Sequence, residues 1–223
     1  MSKHAIIRSL VVTAGAALTL AATSQAWAAP AVSITEWMYS GSDGEYIEFT
    51  NISVSAIDFT GWSFDDDSRT PGSSSLSAFG TVAIGESVII TESDAGYFRS
   101  AWNLDGAVKV LGGVTNNLGR KDEINLFNNL NDLVDRLTYN DQATPSQIRT
   151  QNVSGNPLNY AVLGANDPYQ WVKSTVGDTY GSYVSLSGDI GNPGVNPVPV
   201  PAAAWLLGSG LIGLVGLRRR KNA

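Results

Sequence analysis

From Val32 to Tyr139 the apolar residues come almost entirely in strand-length runs, β-branched and aromatic, cut apart by clusters of Gly, Asn, Asp and Ser. That rhythm reads as an all-β domain. Val32–Met38 alternates as a first strand, and Gly41–Gly44 supplies a turn. Over Glu45–Asn51, Tyr46, Glu48 and Thr50 face one way while Ile47 and Phe49 face the other, and the second set is expected in the core. Ile57–Phe64 reads as a third strand with Trp62 and Phe64 on one face, ended by the Asp65–Asp67 run. Pro71–Ser75 is a loop, and Thr81–Ile90 is strand, Gly85-Glu86 turn, strand. Ala107–Leu111 is another strand, and Glu123–Asn128 and Leu133–Tyr139 form a hairpin through Asn129–Asp132. The one helical stretch is Asp94–Trp102, where Phe98 and Trp102 stand four apart on one face. Residues 140–168 lack periodicity and read as a long loop. Gln170–Lys173 and Thr179–Leu186 are expected as edge strands, and the Gly/Pro-rich 188–197 as a linker.

Both ends read as addresses. Lys3 and Arg8 precede an apolar run over Ser9–Thr23, and Ala26-Trp27-Ala28 fits a small-x-small cleavage pattern. Residues 1–28 are therefore expected to be a signal peptide, cut between Ala28 and Ala29 after passage through the Sec machinery. A retained N-terminal anchor is the alternative. At the other end, Val198, Pro199, Val200 and Pro201 lead into an apolar run over 202–217, then Arg218, Arg219, Arg220 and Lys221. Sixteen helical residues span roughly 24 Å, just short of a bilayer core, and the terminal cations would stay on the cytoplasmic side. A plain tail anchor would share these features. Motif, helix and basic end together over 198–223 resemble a PEP-CTERM sorting signal, with Val200 where its commonest form carries Glu or Asp. The resemblance implies a transmembrane intermediate and an exosortase-type enzyme that cuts near the proline motif. It also implies a final place at the surface or in the extracellular matrix of a Gram-negative-type bacterium.

Six of the 14 Lys and Arg belong to those ends and all 20 acidic residues lie between them, so the domain over 29–187 and its linker carry a charge of −12. Such a charge disfavours nucleic acid and anionic lipid as partners. There is no cysteine, and the sole histidine, His4, sits in the expected signal peptide. A thiolate nucleophile, a Ser-His-Asp triad and His- or Cys-ligated zinc are thereby excluded from the domain. Carboxylate-pair glycosidase chemistry and calcium-assisted reactions survive.

The order of the β segments resembles a lamin tail domain, an immunoglobulin-like β-sandwich. The carriers run Ile34-Thr-Glu36, Glu45-Tyr-Ile-Glu48 with Asn51, Ile57-Asp-Phe-Thr-Gly-Trp62 and Ile84-Gly-Glu86. Then come Asn117-Leu-Gly119, Glu123-Ile-Asn-Leu126, Leu133-Val-Asp135 with Tyr139, Gln147-Ile-Arg149, Trp171 and Asn192-Pro-Gly194. The resemblance implies no reaction by itself.

Candidate sites rest on side-chain chemistry. If the first strands are neighbours, Glu36 meets Asp65, Asp66 and Asp67 at one end of the sandwich, where a calcium ion would find carboxylate ligands. The spacing is not that of an EF-hand, and a solvated acidic loop explains the same residues. Glu45 and Glu48 belong to the same acid-rich set, two members of which would serve a glycosidase only at the right separation. Tyr46, Tyr97, Tyr160, Tyr169, Trp171, Tyr180 and Tyr183 are candidates for a sugar-stacking platform or, equally, for core and loop anchors. The expected function is non-enzymatic and needs no cofactor: an exported protein presenting one immunoglobulin-like domain to the envelope. Extracellular polysaccharide or surface proteins are its expected partners.

Overall fold

The computed structural model describes residues 30–195. The expected signal peptide with its Ala28–Ala29 boundary, the 198–201 motif, the 202–217 helix and the basic end lie outside the described residues. Among the described residues no helix is long and apolar enough to cross a membrane.

In chain order the elements are β1 (Val32–Met38), β2 (Tyr46–Asn51), β3 (Ile57–Asp58), β4 (Ser63–Asp65), β5 (Ser74–Ser75), β6 (Thr81–Val82) and β7 (Ser87–Thr91). A single α-helix, α1 (Ala95–Ala101), precedes β8 (Lys109–Leu111), β9 (Lys121–Phe127) and β10 (Leu133–Asn140). The last strands are β11 (Gly155–Pro157), β12 (Trp171–Lys173), β13 (Tyr183–Val184) and β14 (Ile190–Gly191). Two main sheets result. One has six strands in the order β12-β11-β1-β2-β7-β8, the other four in the order β10-β9-β4-β5. All pairings are antiparallel except β7 with β8, which needs the α1 crossover between them.

The core between the sheets is built from both inner faces. Val32, Ile34, Ile47, Phe49, Val88 and Ile90 come from the first sheet, and Phe64, Ile124, Leu126 and Leu137 from the second. Trp62, stacked on Phe59 with ring centroids 4.6 Å apart, closes one side as expected of a core anchor. Each such side chain contributes about 1.5–3 kcal/mol of burial free energy. Ile47 and Phe49 occupy the places their alternation assigned them.

The opposite face of the six-stranded sheet is not solvated. Met38, Tyr46, Ile89 and Val110 pack there under Phe98, Ala101 and Trp102 of α1, forming a second core. Asp94 caps that helix, its Oδ1 accepting the N–H groups of Gly96 and Tyr97. Alternation alone cannot show this second layer, because a polar set on one face reads as solvent-facing until something polar is found to cover it.

β1 is bulged where its register to β2 shifts between Ile34 and Glu36. The extra residue changes the phase, so Val32 and Ile34 before it and Trp37 and Tyr39 after it all face the inter-sheet core. Glu36, which strict alternation from Ile34 would place in that core, goes instead to the outer face.

Three further differences have local causes. The expected third strand is two pieces, β3 and β4, separated by a turn at Thr60-Gly61, where Asp58 Oδ1 accepts the Thr60 N–H and Gly61 has φ +80°. The expected 140–168 loop contains β11, three residues without a periodic signal, which pairs β1 and β12. Residues 188–195 do not behave as a linker: β14 pairs β13, and Asp189 and Asn192 are buried.

Candidate functional site

The acidic residues singled out in the sequence separate into three places. Glu36 and Glu48 lie side by side on the outer face of β1 and β2, both fully buried. Glu36 Oε1 accepts from Tyr46 Oη at 2.7 Å, Ser154 Oγ at 2.5 Å and the backbone N–H of Asn192 at 2.7 Å. Glu48 Oε1 accepts from the hydroxyls of Thr35 and Ser87, and its Oε2 from the Gly194 N–H at 2.7 Å. The donors Asn192 and Gly194 belong to the C-terminal segment, so the two carboxyls form a polar seam that holds residues 190–195 onto the sheet. Burial, with the charge of Glu48 added to it, pushes the Glu36 carboxyl up to about 8, against the pull of its three donors. Its Oε2 is buried without a hydrogen-bond partner. Glu48 is likewise raised by burial.

A second stitch lies beside the seam. Asp43 accepts from Ser187 N–H and Oγ and from Tyr97 Oη, while Asp189 accepts from the Asp43 N–H and from Asn152 Nδ2. Both aspartates are buried. Sequence reasoning missed them, although Asp43 in a Gly-Ser-Asp-Gly turn and Asp189 in an Asp-Ile-Gly-Asn run were visible as short acceptors in turn-like surroundings.

Asp65 sits elsewhere, at the end of β4 in the four-stranded sheet. Its Oδ2 accepts from Ser68 Oγ and Thr70 N–H and its Oδ1 from Asn116 Nδ2, so it closes its own turn. Asp66 is half-buried and Asp67 exposed. The expected meeting of Glu36 with Asp65, Asp66 and Asp67 does not occur. The β1 bulge turns Glu36 to the outer face of the six-stranded sheet, while the aspartates belong to the other sheet. Among the described residues no group of three or more His, Cys, Asp or Glu could hold a metal ion.

The aromatic candidates also disperse. Tyr46 is bonded to Glu36, Tyr97 to Asp43 and Tyr183 Oη to the Trp102 carbonyl, and Trp171 is in the core. Tyr160 and Tyr180 line one cavity of about 320 Å³, and Tyr169 stands apart, exposed, with its hydroxyl on the Pro145 carbonyl.

Glu45 occupies the third place. It precedes β2 at one end of the sandwich and lines a cleft of about 360 Å³ together with Glu92, Asn117, Arg120, Arg149 and Gln151. With Tyr39 and Ser40, which also line it, the cleft draws on five separate loops or strand ends, as binding surfaces at sandwich ends do. Asp141, its side chain fully buried, organises the basic wall. It accepts from Tyr39 Oη at 2.6 Å and Arg120 Nε at 2.9 Å, with Arg149 Nε at 3.7 Å. Burial works against its ionisation, but the Tyr39 and Arg120 hydrogen bonds and the two guanidinium charges hold it below the ordinary carboxylate range. Arg149 also donates to Gln151 Oε1.

On the acidic wall, Glu45 Oε2 accepts the Leu118 N–H at 2.8 Å, and the Glu45 N–H is received by Glu92 Oε1 at 3.0 Å. Burial, opposed by the Leu118 bond and reinforced by the charges of Glu92, Asp122 and Asp66, raises the Glu45 carboxyl to about 9. A nearly buried carboxyl that stays protonated at neutral pH thus faces half-exposed guanidinium groups across one cleft. The arrangement offers both hydrogen-bond donors and acceptors to a polar ligand.

No curated protein matches the chain. The model of the family described as Lamin Tail Domain matches residues 9–141. That span contains the carriers from Ile34 to Tyr139 and ends before β11, so the strands that complete the C-terminal seam lie beyond it. With more than half its length matched and a sheet-rich, immunoglobulin-like architecture, the chain belongs to the lamin tail domain family.

Proposed function

We propose that this is an exported, non-enzymatic module that presents its immunoglobulin-like domain at the cell envelope. In this reading residues 1–28 pass the chain through the Sec machinery and are cut off at Ala28–Ala29. The 202–217 segment then parks the chain in the membrane with Arg218–Lys221 inside, and an exosortase-type enzyme cuts near Val198–Pro201. The freed domain serves as a structural or binding element among extracellular polysaccharide or surface proteins.

The observation that carries the non-enzymatic part is what the buried carboxyls do. Glu36, Glu48, Asp43, Asp65 and Asp189 spend their acceptor capacity on the fold's own N–H and O–H groups. Residues 30–195 also contain no imidazole and no thiol. In support of the sorting part, only Asn196 and Pro197 separate Val195 from the proline motif in sequence, so the motif follows directly on the folded domain.

The test replaces Arg218, Arg219 and Arg220 with Ser in the full-length chain and follows its size and destination in the producing cell. The wild type should be recovered outside the cytosol, with a mass showing both ends removed, and the variant should keep its C-terminal end. Recovery of wild type in the cytosol at full encoded mass, or identical processing of the variant, would overturn the reading.

A further inference from the structure

We propose that the cleft between the Glu45–Glu92 wall and the Arg120–Arg149 wall is a binding site for a carboxylate-bearing saccharide, a uronic-acid oligomer being the repeating form. The inference rests on the reading of the domain as a binding module and names what that module holds.

Three observations point to this chemistry. First, the only residues of the cleft with surplus positive charge are two half-exposed guanidinium groups sharing one buried carboxylate, Asp141. Asp141 accepts from Arg120 Nε at 2.9 Å and lies 3.7 Å from Arg149 Nε, so the two guanidinium groups stand together on one wall, the group type that pairs best with a carboxylate. Within a domain of net charge −12 this wall is a local exception, and Asp141 fixes it in place.

Second, the opposite wall is made to meet hydroxyl groups. Glu45 is 6 % exposed and its Oε2 accepts the Leu118 N–H. Glu92 is exposed beside it, and Asn117 and Gln151 add amide groups. Because Glu45 stays protonated at neutral pH, it adds no repulsion against an anionic ligand and contributes a donor.

Third, the volume of about 360 Å³ falls in the lower range of small-molecule sites, roughly 300–1,000 Å³. A ligand that pairs a carboxylate with several hydroxyls uses both walls at once. A simple anion would leave the Glu45 wall unused, and a neutral sugar would leave the two guanidinium groups unused.

The experiment titrates trigalacturonate into the purified full-length chain in detergent by calorimetry, with its methyl ester as the matched uncharged probe. Arg149→Gln and Glu92→Gln are the variants, both at exposed positions, and the unfolding temperature of each is measured alongside to show that it is folded. Saturable binding is expected, weakened at least tenfold by Arg149→Gln and by esterification and several-fold by Glu92→Gln. Arg149→Lys, which keeps the charge without the planar guanidinium, should fall between and gives the readout if the glutamine variant does not fold. No saturable binding at millimolar trigalacturonate, or binding indifferent to both substitutions, would overturn the site. Equal affinity for acid and ester would overturn the guanidinium–carboxylate pairing. An exported, cut chain that ignores uronates leaves the proposed export standing, so the two failures are distinguishable.

Discussion

Glu36 and Asn192 stand 156 residues apart in sequence, yet the Asn192 backbone N–H donates to Glu36 Oε1 at 2.7 Å, both residues being buried. This bond and the Gly194 N–H to Glu48 make the C-terminal segment part of the sheet's covering layer. Ending the chain after Ser187 therefore strips two buried carboxyls of a donor each. At about 1–3 kcal/mol per unsatisfied group, that form should be less stable than one ending after Val195 by about 3–6 kcal/mol, the lost β13–β14 pairing included. Thermal unfolding of the two forms should differ by more than about 6 °C. Equal melting would mean that the seam contributes nothing.

Stability should fall as pH rises. Glu36 at about 8, Glu45 at about 9 and Asp135 at about 7 hold their protons in the folded state well above the pH at which the unfolded chain releases them. Between pH 4.5 and 9 the folded state binds more protons, and stability declines by up to about 1.4 kcal/mol per pH unit for each such group. Carboxyls shifted the other way oppose this only in acid. Glu123, held down to about 2 by its Arg69 hydrogen bond, and Asp141 lose their contribution as pH drops below the ordinary carboxylate range. The unfolding midpoint should thus peak near pH 4–5, and Glu36→Gln should flatten the decline above it. A midpoint constant from pH 5 to 9 would refute the assignment of protonated carboxyls to the seam and the cleft.

The inter-sheet core was readable because it needs only a period of two: Ile47 and Phe49 against Tyr46 and Glu48. The α1 helix was readable from Phe98 and Trp102 four apart after an Asp cap. The seam was not. Glu36 reads as a surface carboxylate unless the phase change from Ile34 to Trp37 is taken as a bulge, and nothing local to Glu48 announces that residues 190–195 will cover it. β11 was hidden for another reason. Gly155-Asn156-Pro157 has no strand propensity, and it is held by its neighbours β1 and β12 rather than by its own side chains. The cleft draws on five chain segments, a juxtaposition that no spacing along the sequence encodes.

Gly191 is a packing requirement of the seam. A Cβ there would come 2.3 Å from Tyr46 Oη and 3.0 Å from Glu36 Oε1 and Ser154 Oγ, and its φ is not positive, so the conflict is steric alone. Tyr46 cannot yield easily, with the Phe98 and Trp102 rings 5.4 and 5.6 Å from its own. Gly191→Ala should cost about 1–3 kcal/mol through overpacking. Gly106→Ala, where a Cβ meets nothing within 4 Å, should stay within about 0.5 kcal/mol of wild type. Denaturant midpoints of the two variants decide the matter, and equal values would deny the close approach.

Asp135 joins the two sheets through a hydrogen bond that neither sheet can make by itself. Its Oδ2 accepts the backbone N–H of Ile34 on β1 at 2.9 Å, while its Oδ1 accepts the Arg136 N–H at 2.7 Å. The Ile34 amide lies at the bulge, where the register to β2 shifts, and Ile34 is 1 % exposed, so water cannot replace the aspartate. Asp135→Ala should therefore cost about 1–3 kcal/mol, the price of a buried unpaired donor. The diagnostic measurement is local: hydrogen exchange at the Ile34 amide should accelerate beyond what the global loss of stability accounts for, while the Phe49 amide, paired within the sheet, should follow the global change alone. Exchange at Ile34 that merely tracks Phe49 would show that the bulge is held by the β1–β2 ladder and not by the strand across the core.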